Sequence, residues 1–187
     1  MLIHADNFRT YLSGLNAADT EDLKTAFLDP SIARNIGMED YSTAAMWLLD
    51  YSAALQAWRL GCLMGIRIAA GDSQLLIGAV GIDAVDLENK SGMIGYWIVG
   101  KYRGNGYASE SVRMIMHYGF TRLLLERINA EIAKSNAASI RVPSKLGFHA
   151  GAVAAASHYQ TGANTVFLSM HVSNYVENAV IHIEEGR

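Results

Sequence analysis

Apolar and polar positions change period several times along the chain, and each change marks an element. Residues 8–16 alternate weakly, as a first strand does, and residues 17–27 follow as a short helix with acidic groups in its first turn, where they oppose the helix dipole. Asp29, Pro30 and Ser31 restart the chain: Asp29 caps, Pro30 takes the first helical position, and the segment ends near Gly37. Residues 44–60 carry Trp47, Leu48, Tyr51, Leu55 and Trp58 at the spacing of one helical face, with Gly61 as the stop. At this spacing the aromatics read as core rather than as an aromatic cage.

After Gly61 the period drops to two. Residues 62–70 and 75–85 read as strands joined by a hairpin turn at 71–74, and a polar turn at 86–92 leads to a third strand at 93–99, which makes an antiparallel meander. An amphipathic helix follows at 107–124, with Ala108, Val112, Ile115, Met116, Gly119, Phe120 and Leu123 on one face. Residues 127–133 alternate cleanly, and the helix before them makes this strand parallel to the preceding one by the crossover rule. A helix at 136–146 ends at Gly147, and past a Gly- and Ala-rich stretch residues 165–172 form a last strand. With no repeat, low-complexity tract or linker, residues 1–187 read as one domain. The order β, α, α, β, β, β, α, β, α, β predicts an α+β fold with a largely antiparallel sheet flanked by helices.

Composition narrows this picture. Hydrophobic residues make up 51% of the 187 and charged residues 18%, below the usual ~25%. The apolar excess has two places to go, a cofactor cleft or a subunit interface, and the second makes a homodimer a hypothesis. A net charge of −3 with no basic stripe argues against nucleic-acid partners. Cys62 is the single cysteine and cannot form an internal bridge, which suits a reduced, cytoplasmic setting. The first residues lack a signal-peptide pattern, and the most apolar window, 61–82, is broken by Arg67, Gly71 and Asp72, so no membrane span is expected. The six histidines show no metal-ligand spacing, and no metal site is expected.

The candidate chemistry centres on residues 101–110. Gly104 and Gly106 let the backbone turn tightly and lie bare, and the helix that follows presents unpaired amides and a partial positive charge. Such a loop suits a pyrophosphate. Arg103, the only guanidinium nearby in sequence, either adds charge-assisted bonds to the phosphates or lies in water. The loop alone is equally a structural turn. A nucleotide-phosphate binder built on it lacks both the lysine ending of a P-loop and an early strand-loop-helix unit.

Joined with the strand 95–99 before it and with Asn136, Ser139 and the run Lys145, Leu146, Gly147, Phe148 after it, the loop resembles the GNAT acetyl-CoA-dependent N-acetyltransferase superfamily, and within it the ribosomal-protein alanine acetyltransferases. The resemblance covers most of the chain and is strongest over 94–148. It implies that the fourth and fifth strands splay apart. The pantetheine arm of acetyl-CoA would then pair with the backbone of Trp97, Ile98 and Val99. Arg103, Gly104, Asn105, Gly106, Tyr107 and Ala108 would take the pyrophosphate, with Ser109 capping the helix. Asn136 matches the family asparagine that contacts the cofactor, and Ser139 the serine of this branch.

The implied reaction is direct attack of a primary amine, a protein N-terminus or a small molecule, on the thioester in a ternary complex. Glu131 matches the glutamate that serves as base, and is equally read as a solvated strand residue beside Lys134 or Arg127. Many relatives carry a tyrosine as general acid where this chain has Pro143, which donates no proton; Ser144 beside it either orients a water or binds the sulfur, a role open also to a tyrosine from elsewhere, or is an ordinary helix-surface serine. No Ser or Cys nucleophile with an evident base favours a covalent route. A non-catalytic acyl-CoA-binding or regulatory module of the same fold is the alternative reading.

Overall fold

The computed structural model describes residues 1–35, 41–58, 61–70, 73–151 and 164–185. In chain order the elements are β1 (Leu2–Ala5), β2 (Thr10–Gly14), α1 (Thr20–Phe27), α2 (Pro30–Asn35), α3 (Tyr41–Trp58), β3 (Cys62–Ala70), β4 (Ser73–Asp86), β5 (Ser91–Ile98), α4 (Tyr107–Thr121), β6 (Arg127–Ala133), α5 (Ala137–Lys145), β7 (His149–Ala150), β8 (Thr165–His171) and β9 (Ile181–Glu184). Among the described residues the strands form one nine-stranded sheet in the order β7-β8-β6-β5-β4-β3-β2-β1-β9. All neighbours are antiparallel except β5 and β6, which α4 joins as a parallel pair. The expected α+β class and the parallel crossover are therefore both present.

The sheet buries a core on each face. One cluster joins Ile3, Leu12, Ile66, Val80, Ile94 and Ile128 to Val112, Ile115, Met116 and Phe120 of α4. The other packs Leu23, Phe27, Ile32, Ala45 and Leu48 of α1 to α3 on Leu76, Ala79 and Trp97. Cys62 is buried, and burial pushes its thiol up to about 12. No helix among the described residues is long and apolar enough to cross a membrane.

Several boundaries move for local reasons. Residues 17–19 form a separate 3-10 turn, because Asn16 and Asp19 cap each other reciprocally and start α1 afresh at Thr20. Asp29 caps α2 as expected, its carboxylate accepting from the Ser31 amide at 2.9 Å; the expected end near Gly37 lies outside the described residues. The buried face of α3 is Ala44, Ala45, Leu48, Ser52 and Leu55. Trp47 is instead 45% exposed and stacks on Tyr51, with ring centroids 4.9 Å apart, so the core reading of these aromatics fails at Trp47; the side chain of Trp58 lies outside the described residues. Of the hairpin turn expected at 71–74, Gly71 and Asp72 lie outside the described residues, while Ser73 and Gln74 belong to β4.

Strands β1, β7 and β9 carry no sequence signal. They span two to four residues each, and β1 and β9 find each other only in space, with His4 opposite His182.

A buried ion pair stitches β3 to the turn before α1. The Arg67 guanidinium donates to both oxygens of Asp19 at 2.7 and 2.8 Å, with the two residues 7% and 4% exposed. Replacing Arg67 by Met strands the Asp19 carboxylate, and is expected to lower unfolding free energy by about 3–5 kcal/mol, read from a urea titration. Cys62 is expected to resist a thiol reagent at pH 8 in the native protein and to react once the chain is unfolded.

Candidate active site

The parallel pairing of β5 with β6 stops early. Ser91, Gly92 and Met93 face Arg127, Ile128 and Asn129, and beyond them β5 continues beside β4 while β6 continues beside β8. A V-shaped gap therefore opens inside the sheet, with Ile94 to Ile98 on one arm and Ala130 to Ala133 on the other. Backbone direction along β5 follows from one bond: the Val99 amide donates to Ile77 O at 2.9 Å. Alternation then turns the backbone groups of Gly95 and Trp97 and the Val99 amide toward β4, and those of Ile94, Tyr96 and Ile98 into the gap; Val99 O accepts from the Tyr102 amide at 2.9 Å. Of the three residues expected to line a cofactor arm, only Ile98 presents its backbone there. Trp97 and Val99 are corrected to β4-facing positions, and Tyr96, which the sequence reading passed over, faces the gap.

The loop at the mouth of the gap has the expected build. Gly104 and Gly106 have φ of +81° and +87°, conformations that side chains rarely adopt, and an added Cβ at Gly104 meets nothing within 4 Å. Gly106 is the cap residue of α4, and no side chain caps this helix. Ser109 is thus no cap: it is the third helical residue, and its amide donates to Gly106 O at 2.9 Å. The amides of Tyr107 and Ala108 precede this first helical bond and point back at the loop. The Asn105 side chain folds onto its own loop, donating to Tyr102 O and Arg103 O.

Two guanidiniums brace the loop, although the sequence suggested one. Arg103 is exposed but not free: it donates to Ile98 O at 2.8 Å, Asp29 Oδ2 at 3.0 Å and Ser31 Oγ at 3.1 Å. The Ser31 hydroxyl, with Arg103 behind it, lowers the Asp29 carboxyl. Arg9 arrives from the start of the chain, donating to Asn105 O and to Glu110 Oε1 at 2.9 Å and lying 4.9 Å from the centre of the Tyr107 ring. The hydrogen bond and charge of Glu110 hold its guanidinium above the ordinary value. Glu110 also accepts from the amides of Arg9 and Thr10. No local signal marks Arg9, because its partners lie about a hundred residues away in sequence.

The far arm leads from β6 into α5. Asn136 caps α5, accepting from the Ser139 amide at 3.1 Å. Ser139 O in turn accepts from the Tyr96 hydroxyl at 2.6 Å, a bond that crosses from β5 to α5, and burial pushes the Tyr96 phenol well up. Pro143 is buried within α5. Ser144 is exposed, and its hydroxyl donates to Ile140 O at 2.9 Å. That back-bond turns it to its own helix, the arrangement of an ordinary helix-surface serine.

Glu131 lies on the opposite face of β6 from Ile128 and Ala130, toward α1 to α3. It is half-buried, opposite Phe167, and accepts from Thr165 Oγ1 at 3.3 Å. Two residues beyond the last β5–β6 pair stand Gly95 and Glu131, and a side chain at Gly95 would meet nothing within 4 Å. Open ground therefore lies beside the carboxylate. Asp83, which accepts from Tyr51 OH at 2.9 Å, sits opposite Met93 at the base of this ground. The arrangement offers an anion cradle, an extended slot and a carboxylate on one path. Among the described residues no group of three or more His, Cys, Asp and Glu is placed to hold a metal ion.

A family model for the acetyltransferase (GNAT) domain matches residues 9–149. The chain is similar to the uncharacterized N-acetyltransferase YoaA of Bacillus subtilis (strain 168), with 31% identity over 156 residues, 82% of this chain and 87% of that one. It superposes on Mycobacterium smegmatis RimJ in complex with CoA-disulfide with TM-score 0.77 and 16% identity, covering 92% of this chain and 88% of that one. The spermidine N-acetyltransferase from Vibrio cholerae, in complex with CoA and spermine, superposes with TM-score 0.71 and 17% identity, covering 89% and 98%. At these identities the two structures share the fold.

The loop conformation makes a direct prediction. Gly106→Ala is expected to lower the melting temperature by about 2–8 °C through backbone strain. Gly104→Ala is expected to cost less, because an added Cβ at Gly106 alone meets Arg9 Nη2, at 3.2 Å. Scanning calorimetry of the two variants gives the comparison.

Proposed function

This chain belongs to the GNAT acetyltransferase family, and from that premise we propose that it transfers an acetyl group from acetyl-CoA to a primary amine by direct attack in a ternary complex. The observation that carries the reading is the β5–β6 gap opening onto the bare glycine loop. Coenzyme A fits this pair: an anionic pyrophosphate for the loop and the α4 end, and an amide-bearing arm for an inner strand edge. In this reading Gly104, Gly106 and the amides of Tyr107 and Ala108 hold the phosphates, while the Ile98 amide and the backbone groups of Tyr96 face the arm. Arg103, Asn105 and Arg9 shape the loop. Asn136 and Ser139 fix the start of α5 behind the arm.

Bound acetyl-CoA supplies an activated thioester carbonyl. The chain's own work is to deliver a neutral amine to it. An α-amine with a reference pKa of ~7.7–8.0, or a lysine-like amine of ~10.4, arrives largely protonated, and Glu131 takes that proton at its carboxylate beside the open ground at Gly95. The buried Cys62 thiol lies in the core and offers no acyl carrier, in keeping with direct transfer. The acceptor is a protein N-terminus or a small-molecule amine, entering from the α3 side past Trp47 and Tyr51. Residues 1–187 act as one domain in a reducing cytoplasm, and self-association into a homodimer completes the proposal.

The rival reading, an acyl-CoA-binding module without turnover, draws on Pro143 at the position of the usual acid. A thiol-release assay with a panel of amines separates the two. Turnover on at least one amine is expected, and Glu131→Gln is expected to lower kcat/KM by about 100-fold and to change the pH profile. Calorimetric binding of coenzyme A without turnover on any acceptor would instead favour the module, and unchanged turnover and profile in Glu131→Gln would remove the base.

A further inference from the structure

We infer that Tyr96 is a positioning residue: it supplies, across the gap between β5 and β6, the hydrogen bond that Pro143 removes from α5. In a regular helix the amide of residue 143 donates to the carbonyl of residue 139. Pro143, inside α5, has no N–H, and a proline ring there crowds that same carbonyl. A carbonyl stranded in a half-buried turn is costly and must find a donor. At the two ends of α5 the regular bonds are present: Ile140 N–H reaches Asn136 O at 3.1 Å, and Leu146 N–H reaches Val142 O at 3.3 Å. Ser139 O, which the amide of residue 143 would otherwise reach, accepts instead from the Tyr96 hydroxyl at 2.6 Å, on a strand 43 residues earlier.

The consequence lies in where Tyr96 stands. Its backbone turns into the gap on one arm, and its side chain ties down the start of α5, which continues the other arm. One residue thus sets the separation of both walls. Burial keeps the phenol protonated, so the tie donates throughout the neutral range. This device rests on the reading of the gap as an acyl-CoA slot only for its effect on binding; the hydrogen-bond replacement stands on the fold.

The test is a double-mutant cycle in the full chain, read by coenzyme A affinity and by melting temperature. Tyr96→Phe is expected to weaken coenzyme A binding about 5- to 10-fold and to lower the melting temperature by about 2–4 °C. In the Pro143→Ala background, where an amide again reaches Ser139 O, the same change is expected to cost less than about twofold in affinity. Rescue of folding in the double variant, should Tyr96→Phe alone fail to fold, supports the inference equally. Equal losses in both backgrounds, failed folding included, would overturn it, as would a lowered melting temperature with unchanged affinity. If the wild-type chain binds no coenzyme A, the functional reading falls, and the melting-temperature cycle alone decides the replacement of Pro143 by Tyr96.

Discussion

A sheet that parts in its interior exposes two inner strand edges, and every backbone group along them must find a partner. That constraint organises this molecule. At the base of the V, α4 presses down where β5 and β6 still pair: a Cβ at Gly119 would stand 2.6 Å from Ile82 and 2.9 Å from Ile128. Beyond the base, β4 and β8 keep the outer edges paired. The inner edge is closed at the mouth by Arg103 on Ile98 O, and the Tyr96 phenol bridges to the far arm at Ser139 O. What lies between is a slot with backbone donors and acceptors at strand spacing, suited to an extended chain with amides of its own.

Charge is used at this site for geometry. Arg9 is paired with Glu110 and Arg103 with Asp29, so each guanidinium beside the loop comes with its carboxylate. Exposed pairs of this kind contribute little to stability. They do fix four chain segments, the starts of β2, α2 and α4 and the loop itself, in one arrangement. In the proposed reading, anion recognition then falls to backbone amides and the helix end, which need no basic surface, and this accommodates a chain of net charge −3.

The legible parts were those governed by local rules. Period and glycine punctuation marked β3, β6, α4 and α5, because burial on one face writes itself into sequence at fixed spacing. The paired edge strands β1 and β9 were not legible, since four residues hold too few alternations. The stack of Trp47 on Tyr51 was missed because helical spacing says which residues share a face, and says nothing of where the sheet beneath ends. Arg9 and Arg67 were missed for a third reason: their partners are brought close only by the folded sheet. The direction of the β5 backbone, which separates Ile98 from Trp97 and Val99, depends on register, a property of two strands together.

Pro143 shows how a chemical requirement and a structural one can exchange places. A thiol with a reference pKa of ~8.5 is a tolerable leaving group without assistance, so an acid at this position improves a step that already proceeds. Misplacing a thioester relative to its attacking amine is more serious, because orientation carries ~7–11 kcal/mol of a bimolecular barrier. A proline in α5 offers no proton and leaves one helical carbonyl without its amide. Tyr96 recovers that carbonyl from across the gap, and its phenol then serves the geometry of the slot, the requirement that weighs more.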